Sequence, residues 1–241
     1  MSAKRVYCDN GYLPRYCGAW LEGLATTLPD PARTLEIGTG TGCSLIATLL
    51  GLAHHEDVKC WTVDIRVREH LEAEMKKREF NRSRWDFINA DSLDVAKTWN
   101  VPLNMIYIDG DHTYDGCYND IMAWEPHLVF GGLMIFDDYD HGYWSVTEAV
   151  DDIMFAEDST WRYCGQVGRV IAFEKGTLYE RAPWISDYME QYPSYARSRQ
   201  TDDIDPWLCW GWGVLGHADP HPRIMRAYGK SPKPSFEDVL P

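Results

Sequence analysis

The chain has 241 residues, a formal net charge of −14 and 45% hydrophobic residues. This length and apolar content suit one α/β domain with additions, and they exclude a chain that is disordered over most of its length. The acidic excess disfavours a broad nucleic-acid surface, because such surfaces neutralise phosphates with lysine and arginine. We therefore expect a small-molecule partner and no nucleic acid.

Seven cysteines without a C-x-x-C pair are typical of neither a disulfide framework nor a zinc ribbon. No run approaches the ~18 apolar residues of a membrane span, and the initial MSAKR lacks the apolar core of a signal peptide. These features predict a cytoplasmic protein without a membrane partner. The oligomeric state stays open, and a homo-oligomer is compatible with the sequence.

Apolar β-rich runs alternate with helical patterns between residues 34 and 175, which is typical of a parallel sheet covered by helices on both faces. In chain order we expect a helix over 11–28, strands at Thr34–Ile37, Lys59–Asp64, Trp85–Ile88, Met105–Asp109 and Leu133–Phe136, and a hairpin of Trp161–Val167 and Arg169–Glu174. Intervening helices are expected at Cys43–Ala53, Val67–Phe80, Asp115–Trp124 and Trp144–Phe155, with a Gly131-Gly132 turn before the fifth strand. The predicted fold is α/β: a Rossmann-like, doubly wound, mostly parallel seven-stranded sheet with an antiparallel closing hairpin.

The flanks of this pattern suggest three segments. Residues 1–33 are expected to form an N-terminal helical cap, and residues 34–175 the main domain. Residues 176–241 form an extension rich in tryptophan and proline without a clear period. We expect this extension to be a lid or an oligomer contact, with packing against the outer sheet as the alternative.

A glycine turn follows the first strand. Residues 34–42 read TLEIGTGTG, in which Glu36 precedes Gly38, Gly40 and Gly42. Glycine lacks a Cβ and permits positive φ, so a ligand can approach the backbone at the start of the next helix. A dinucleotide fingerprint would place its third glycine one residue later, which disfavours a nicotinamide-dependent dehydrogenase. The pattern resembles motif I of class I S-adenosylmethionine-dependent methyltransferases, which implies that the turn packs against this cofactor.

Acidic residues after the next two strands extend the expected cofactor site. Asp64 ends the second strand about 20 residues after the glycine turn, the offset at which an acid meets a ribose hydroxyl in such folds. Asp91 and Ser92 follow the third strand, where methyltransferases of this class hold the adenine amino group. A strand-end aspartate alone is commonly only a helix N-cap. In this order and spacing, the residues predict cofactor binding by Glu36, Gly38, Thr39, Gly40, Gly42, Asp64, Ile65, Asp91, Ser92 and Asp109, with Asp9 and Tyr12 as further neighbours; Glu36 contacting only the turn is the alternative for that residue.

Three carboxylates are expected at the carboxyl edge of the sheet: Asp109 after the fourth strand, and Asp137 and Asp138 after the fifth. Crowded carboxylates repel one another unless they share a cation or a proton, and carboxylate oxygens are ligands of Mg²⁺ and Mn²⁺. We therefore expect these three residues to bind Mg²⁺ or Mn²⁺. The ion would lower the pKa of an acceptor hydroxyl and align its oxygen with the sulfonium methyl group.

The segment IDGDHTY supplies candidate catalytic groups beside Asp109. His112 has an unperturbed pKa of ~6.5, so it can take a proton near neutral pH, and we expect it to be the general base. Asp111 is the first alternative, and His141 is the second. The expected catalytic residues are therefore His112, Asp109 and Asp111.

Residues 106–151 contain this segment and the Asp137-Asp138 pair, and they resemble the metal-dependent sugar O-methyltransferases of natural-product pathways, the macrocin and mycinamicin O-methyltransferase group. The resemblance implies that Asp109, Asp137 and Asp138 bind Mg²⁺ and that His112 is the base. Caffeoyl-type catechol O-methyltransferases typically have Asp-Asn after the fifth strand, and cephalosporin hydroxylase-like proteins share the arrangement. The expected function is S-adenosylmethionine-dependent methylation of a hydroxyl on a sugar-bearing or polyol small molecule; a catechol O-methyltransferase and a non-catalytic S-adenosylmethionine-binding module are the alternatives.

Overall fold

A computed structural model describes residues 13–66, 69–156 and 159–176. Its sheet has seven strands in the order β3-β2-β1-β4-β5-β7-β6. The first five strands pair in parallel, whereas β7 is antiparallel to both β5 and β6. The strands are β1 (Ala32–Ile37), β2 (Val58–Asp64), β3 (Trp85–Asn89), β4 (Leu103–Ile108), β5 (Leu128–Phe136), β6 (Trp161–Val167) and β7 (Val170–Lys175). The predicted fold class is therefore confirmed.

Six α-helices surround the sheet in the described residues: α1 (Arg15–Thr26), α2 (Cys43–Gly51), α3 (Glu69–Lys77), α4 (Ser92–Ala96), α5 (Tyr114–Trp124) and α6 (Trp144–Met154). Buried side chains of the first three helices form one hydrophobic core, and those of the last three form another. The sheet separates the two cores, as expected when helices cover both faces. Within these ranges, no helix is both long and apolar enough to cross a bilayer.

Helix α1 belongs to the first core. Its side chains Leu21 and Leu24 are buried, and Cys17 Sγ donates a hydrogen bond to the backbone oxygen of Val167 at 3.1 Å. The helix therefore joins the closing hairpin to the rest of this core. The expected cofactor neighbours Asp9 and Tyr12, and the extension after residue 176, lie outside the described residues.

Strand β5 begins earlier than expected. The pair Gly131-Gly132 lies inside the strand, whereas the sequence predicted a turn there. The register against β4 shifts between Leu103 and Met105, and Gly131 has a φ of +76°. Glycine tolerates this conformation, so the pair forms an irregularity within the strand and does not end it.

The strand order reverses between β1 and β4, which are neighbours although they are not consecutive in the chain. Adjacent connections leave toward opposite faces of the sheet at such a point, and a crevice opens at the carboxyl ends of the strands. The fold therefore places the segments after β1, β2, β3, β4 and β5 around one opening.

Candidate active site

A cleft of about 1040 Å³ lies at this edge of the sheet. The turn after β1, the ends of β2 and β3, the loop after β4 and the loop after β5 all contribute to its lining. The predicted residues that line it are Gly38, Gly40, Asp64, Ile65, Asp91, Ser92, Asp109, Asp111, His112, Asp138 and His141. The cleft thus brings most of the expected cofactor residues together with all three expected catalytic residues, Asp109, Asp111 and His112.

The glycine turn allows β1 and β4 to approach closely at this cleft. A Cβ on Gly38 would lie 1.8 Å from the backbone oxygen of Asp109, and the residue has a φ of +86°. Gly38 N donates to Val63 O at 2.9 Å, and Asp109 N donates to Ile37 O at 2.8 Å. Only glycine fits this junction, because any Cβ would overlap the backbone carbonyl group of Asp109.

Three expected cofactor residues do not line the cleft: Glu36 in β1, and Thr39 and Gly42 in the turn. Thr39 N donates to Asp64 Oδ2 at 3.1 Å, and its hydroxyl bonds that of Thr62 at 2.7 Å. Gly42 is the N-cap of α2 with a φ of +82°. The structure differs here from the expected ligand contacts, because these groups hold the turn in place.

Glu36 is buried and accepts hydrogen bonds from Ser44 Oγ and, at 2.6 Å, from Thr62 Oγ1. Its contacts are with side chains around the turn. This is close to the alternative that Glu36 contacts only the turn and not the cofactor. Burial raises the pKa of its carboxyl group to about 8. The buried group is therefore largely protonated at neutral pH, since low-dielectric surroundings disfavour the charged form.

We expect Glu36→Gln to remove a pH-dependent part of the protein's stability. The folded-state pKa lies above the unfolded value of ~4.3, so the contribution of Glu36 is fully present below that value and is lost as pH rises toward 8. Relative to the wild type, the variant should gain about 1 kcal/mol of unfolding free energy per pH unit between pH 5.5 and 7.5. Urea unfolding at several pH values measures this difference. Glu148→Gln, at an exposed position of α6, is the control, and equal slopes for Glu36→Gln and wild type would contradict the prediction.

Asp64 sits at the end of β2 with both carboxylate oxygens hydrogen-bonded to the backbone. Oδ2 accepts from Thr39 N at 3.1 Å, and Oδ1 accepts from Arg66 N at 2.8 Å. Each carboxylate oxygen can accept a second hydrogen bond. The side chain is thus oriented by the protein at the lining of the cleft.

Asp91 and Ser92 have different environments although they are adjacent. Asp91 is the N-cap of α4, and its Oδ1 accepts from Leu93 N at 2.9 Å. Ser92 Oγ donates to Oδ1 of Asp120, a buried residue of α5. Burial, reinforced by the nearby charges of Asp91 and Asp111, raises the pKa of Asp120 to about 6.

Asp120 was not among the predicted site residues. Its signal in the sequence was an acidic residue on an otherwise apolar helix face, since Cys117, Ile121 and Trp124 of the same helix are buried. Lone aspartates in amphipathic helices are common, and only the tertiary structure shows that this one lines the cleft.

Asp109, His112 and Asp138 form a compact group whose three ligand atoms lie within 4.8 Å of one another. His112 Nε2 is 3.5 Å from Asp109 Oδ1 and 3.2 Å from Asp138 Oδ2. The hydrogen bond with Asp109 and the nearby acidic charges raise the pKa of His112, and burial raises the pKa of Asp109 to about 7. Two carboxylate oxygens suit a divalent cation such as Mn²⁺ or Mg²⁺, and the imidazole nitrogen beside them can serve either as a third ligand or as a proton acceptor, but not as both at once.

Asp137 lies outside this group, in contrast to the expected set of three aspartates. Its Oδ2 accepts from Tyr107 Oη and from an Arg169 guanidinium nitrogen, both at 3.0 Å. Its Oδ1 accepts from Asp138 N at 2.8 Å and lies 2.8 Å from Arg169 Nε. Both oxygens are engaged within the protein, and His112 occupies the third position of the group.

Arg169 was also missed from the sequence, because it was assigned to the last strand. The structure places it in the two-residue turn between β6 and β7, where it lines the cleft. Its Nη1 lies 3.0 Å from Asp138 Oδ1, so one guanidinium contacts both adjacent carboxylates. The sequence predicted a metal ion because crowded carboxylates repel one another. The positive charge of Arg169 relieves part of that repulsion between Asp137 and Asp138.

Two other candidate bases, Asp111 and His141, also line the cleft. Asp111 Oδ1 accepts from Thr113 N at 3.0 Å, and His141 is exposed in the loop after β5. Neither belongs to the compact group around Asp109. The ring of Tyr143 lies 4.2 Å from that of His112, so an aromatic side chain borders this part of the cleft.

Residues 35–139 match the model of a protein family described as a methyltransferase domain. The matched range contains the glycine turn, Asp64, the segment from Asp109 to His112 and the Asp137-Asp138 pair, whereas Arg169 follows it.

Known proteins similar to this chain include a viral protein and two methyltransferases of solved structure. Uncharacterized protein R132 of Acanthamoeba polyphaga mimivirus is 27% identical over 164 residues, which cover 59% of this chain and 71% of the viral protein. The O-methyltransferase TomG from Streptomyces achromogenes, solved with S-adenosylmethionine, aligns with a TM-score of 0.53 and 18% identity over 66% of this chain and 79% of TomG. The methyltransferase MycE of the mycinamycin biosynthetic pathway, solved with Mg and S-adenosylhomocysteine, aligns with a TM-score of 0.50 and 20% identity over 72% of this chain and 53% of MycE. At these identities the two structures establish a shared fold.

Proposed function

We propose that this protein is an S-adenosylmethionine-dependent O-methyltransferase that methylates a hydroxyl of a sugar-bearing or polyol small molecule with the assistance of a divalent cation. The observation that carries the proposal is the continuity of the cleft. Gly38 and Asp64 open into the same space as Asp109, His112 and Asp138. A donor bound over the glycine turn and an acceptor bound beside His112 would therefore meet in one cavity.

The cofactor half of the cleft has chemistry suited to an adenosyl sulfonium compound. Asp64 can accept hydrogen bonds from ribose hydroxyls, and the turn at Gly38 and Gly40 leaves its backbone accessible. Asp109 also lines the cleft, and its carboxylate when ionised favours a sulfonium cation over a neutral thioether. These features support S-adenosylmethionine as the methyl donor.

His112 is the group that we assign to proton removal. Its imidazole takes the proton of the acceptor hydroxyl, and Asp109 and Asp138 stabilise the resulting imidazolium. The acceptor oxygen forms a bond to the methyl carbon while the carbon–sulfur bond breaks. The electron pair of that bond stays on sulfur, and S-adenosylhomocysteine leaves as a neutral thioether. Asp111 is the alternative base.

We assign Asp109 and Asp138 as the residues that would hold Mg²⁺ or Mn²⁺, beside the imidazole of His112. Such an ion supplies Lewis acidity that lowers the pKa of a nearby hydroxyl. Arg169 contacts Asp138 through one oxygen and holds Asp137. It therefore fixes the acidic pair while the other oxygen of Asp138 faces His112.

The proposed acceptor class has two sources of support. The segment from residue 106 to 151 resembles sugar O-methyltransferases, and MycE, a methyltransferase of the mycinamycin pathway, shares the fold. The Asp137-Asp138 pair also differs from the Asp-Asn pair typical of catechol enzymes. A sugar or polyol is therefore the preferred acceptor, with a catechol as the alternative.

The direct test is transfer of a labelled methyl group. We expect the full chain, supplied with methyl-labelled S-adenosylmethionine and Mg²⁺, to transfer the label to members of a glycoside panel, as detected by mass spectrometry. Treatment with a chelator should lower the rate, and added Mg²⁺ or Mn²⁺ should restore it. Transfer to catechols alone would favour the alternative enzyme, and cofactor binding without transfer would favour a non-catalytic module. Full turnover in chelator would show that metal assistance is wrong.

A further inference from the structure

Asp137 and Asp138 are adjacent in the chain, but their carboxylates have different surroundings. That of Asp137 accepts from Tyr107 Oη at 3.0 Å, and Tyr107 belongs to the first hydrophobic core. Asp138 lines the cleft, where its Oδ2 lies 3.2 Å from His112 Nε2. It has a φ of +56°, a left-handed conformation that is uncommon for a residue with a side chain. The chain turns at this point, so one carboxylate faces the core and the next one faces the cleft.

Asp137 has no remaining capacity for a metal ion. A carboxylate offers about four lone-pair positions. Its Oδ1 lies 2.8 Å from both Asp138 N and Arg169 Nε, and its Oδ2 lies 3.0 Å from both Tyr107 Oη and Arg169 Nη2. Both oxygens therefore already face donors of the protein, and the side chain is only 2% exposed. Asp137 is the carboxylate that the guanidinium contacts through both oxygens.

Asp138, in contrast, keeps one oxygen without a hydrogen bond. Among the residues that the structure describes, no group donates a hydrogen bond to its buried Oδ1. Arg169 Nη1 lies 3.0 Å from this oxygen, and the two form an ion pair without hydrogen-bond geometry. A buried charged oxygen that lacks a donor is costly. A cation in the cleft would therefore stabilise Asp138 in a way that it could not stabilise Asp137.

Charge balance favours the same division. Asp137 and Arg169 carry opposite charges and lie in direct contact, so they largely cancel each other. Asp109 and Asp138, when ionised, together balance the charge of one Mg²⁺ or Mn²⁺ ion. Without Asp137, the guanidinium would keep only its contact with Asp138, and it would compete with the ion for that carboxylate.

We propose that Asp137 is the counter-ion of Arg169 and not a metal ligand. By holding the guanidinium, Asp137 keeps Asp138 available to bind the divalent cation together with Asp109. The inference rests on the proposed function, because it concerns the cation proposed there. It departs from the sequence prediction, in which three aspartates bind the ion. Asp137 is thus a positioning residue that acts on the ion through Arg169.

Binding of Mn²⁺ to the full chain tests this division, measured by calorimetry with MnCl₂ in the absence of a methyl donor. Asp137→Asn should weaken Mn²⁺ binding at least about tenfold, because Arg169 then pairs with Asp138. Adding Arg169→Met should restore the affinity to within about threefold of the wild type, since this double variant loses one charge of each sign. Asp109→Asn, alone and combined with Arg169→Met, is the matched comparison. Both of these variants should bind Mn²⁺ at least about tenfold more weakly than the wild type, because a ligand is lost.

Circular dichroism establishes that each variant is folded. If Asp137→Asn alone does not fold, the double variant with Arg169→Met decides, because a buried ion pair can be replaced by neutral residues of similar volume. If that double variant binds Mn²⁺ as weakly as the matched Asp109→Asn double variant, Asp137 is a ligand and the inference is overturned. Wild-type affinity in Asp137→Asn alone would also overturn it. Absence of Mn²⁺ binding by the wild type would instead overturn the metal-assisted part of the proposed function.

Discussion

Replacing Gly38 by alanine is expected to disrupt the junction between β1 and β4 and to abolish cofactor binding. The added Cβ would lie 1.8 Å from the backbone oxygen of Asp109, and it cannot rotate away because it is attached directly to the backbone. The φ of +86° adds strain for any residue with a side chain. We expect the unfolding free energy to fall by at least about 3 kcal/mol, measured by urea unfolding.

Gly40→Ala is the matched control for this effect. Gly40 also has a positive φ, +50°, but its Cβ would meet no atom within 4 Å. The stability loss should therefore be only about 1–2 kcal/mol, the cost of the left-handed conformation. Since Gly40 lines the cleft, its variant should fold and bind S-adenosylhomocysteine more weakly. Equal stability of the two alanine variants would contradict the close junction at Gly38.

Replacing His112 by alanine is expected to lower kcat by about 10²- to 10⁴-fold, with a smaller change in KM, if this residue is the general base. The base acts in its neutral form. Its pKa in the chain is raised by the hydrogen bond with Asp109 and by the neighbouring acidic charges. The wild-type kcat/KM should therefore increase as pH rises through this elevated pKa, and the variant should lose this part of the pH–rate profile.

His54→Ala is the control, because His54 is exposed near the end of α2 and does not line the cleft. Its kinetic constants should equal those of the wild type. Retention of the same pH–rate profile in His112→Ala would move the base to another group. Asp111→Asn and His141→Ala would then identify it, since both residues line the cleft.

The sheet could be predicted from the sequence because each strand has a strong local signal. The apolar runs of β1 and β4 each lead into residues with turn chemistry, such as Gly38 and Asp109. Parallel order then requires these ends to meet at one edge. The topology alone predicts that the glycine turn lies near Asp109 and His112, and in the structure they line the same cleft.

The details that the sequence did not predict depend on contacts between distant segments. Nothing local distinguishes Asp137 from Asp138, and Asp137 is drawn out of the compact group by Arg169 and Tyr107. In the sequence, Asp120 looks like an ordinary acidic residue of an amphipathic helix, and only the structure shows its hydrogen bond with Ser92. Each of these roles is set by a partner more than 25 residues away in the chain, which local patterns do not encode.

The position of Arg169 bears on where this protein could be shortened. The range that matches the methyltransferase family model ends at residue 139. The Arg169 guanidinium, which contacts both Asp137 and Asp138, comes from the β6–β7 hairpin. A fragment trimmed to the family boundaries would keep both aspartates and leave them without this counter-charge. The smallest fragment that keeps this counter-charge therefore extends through β7, and the hairpin is an electrostatic component of the candidate active site as well as the edge of its scaffold.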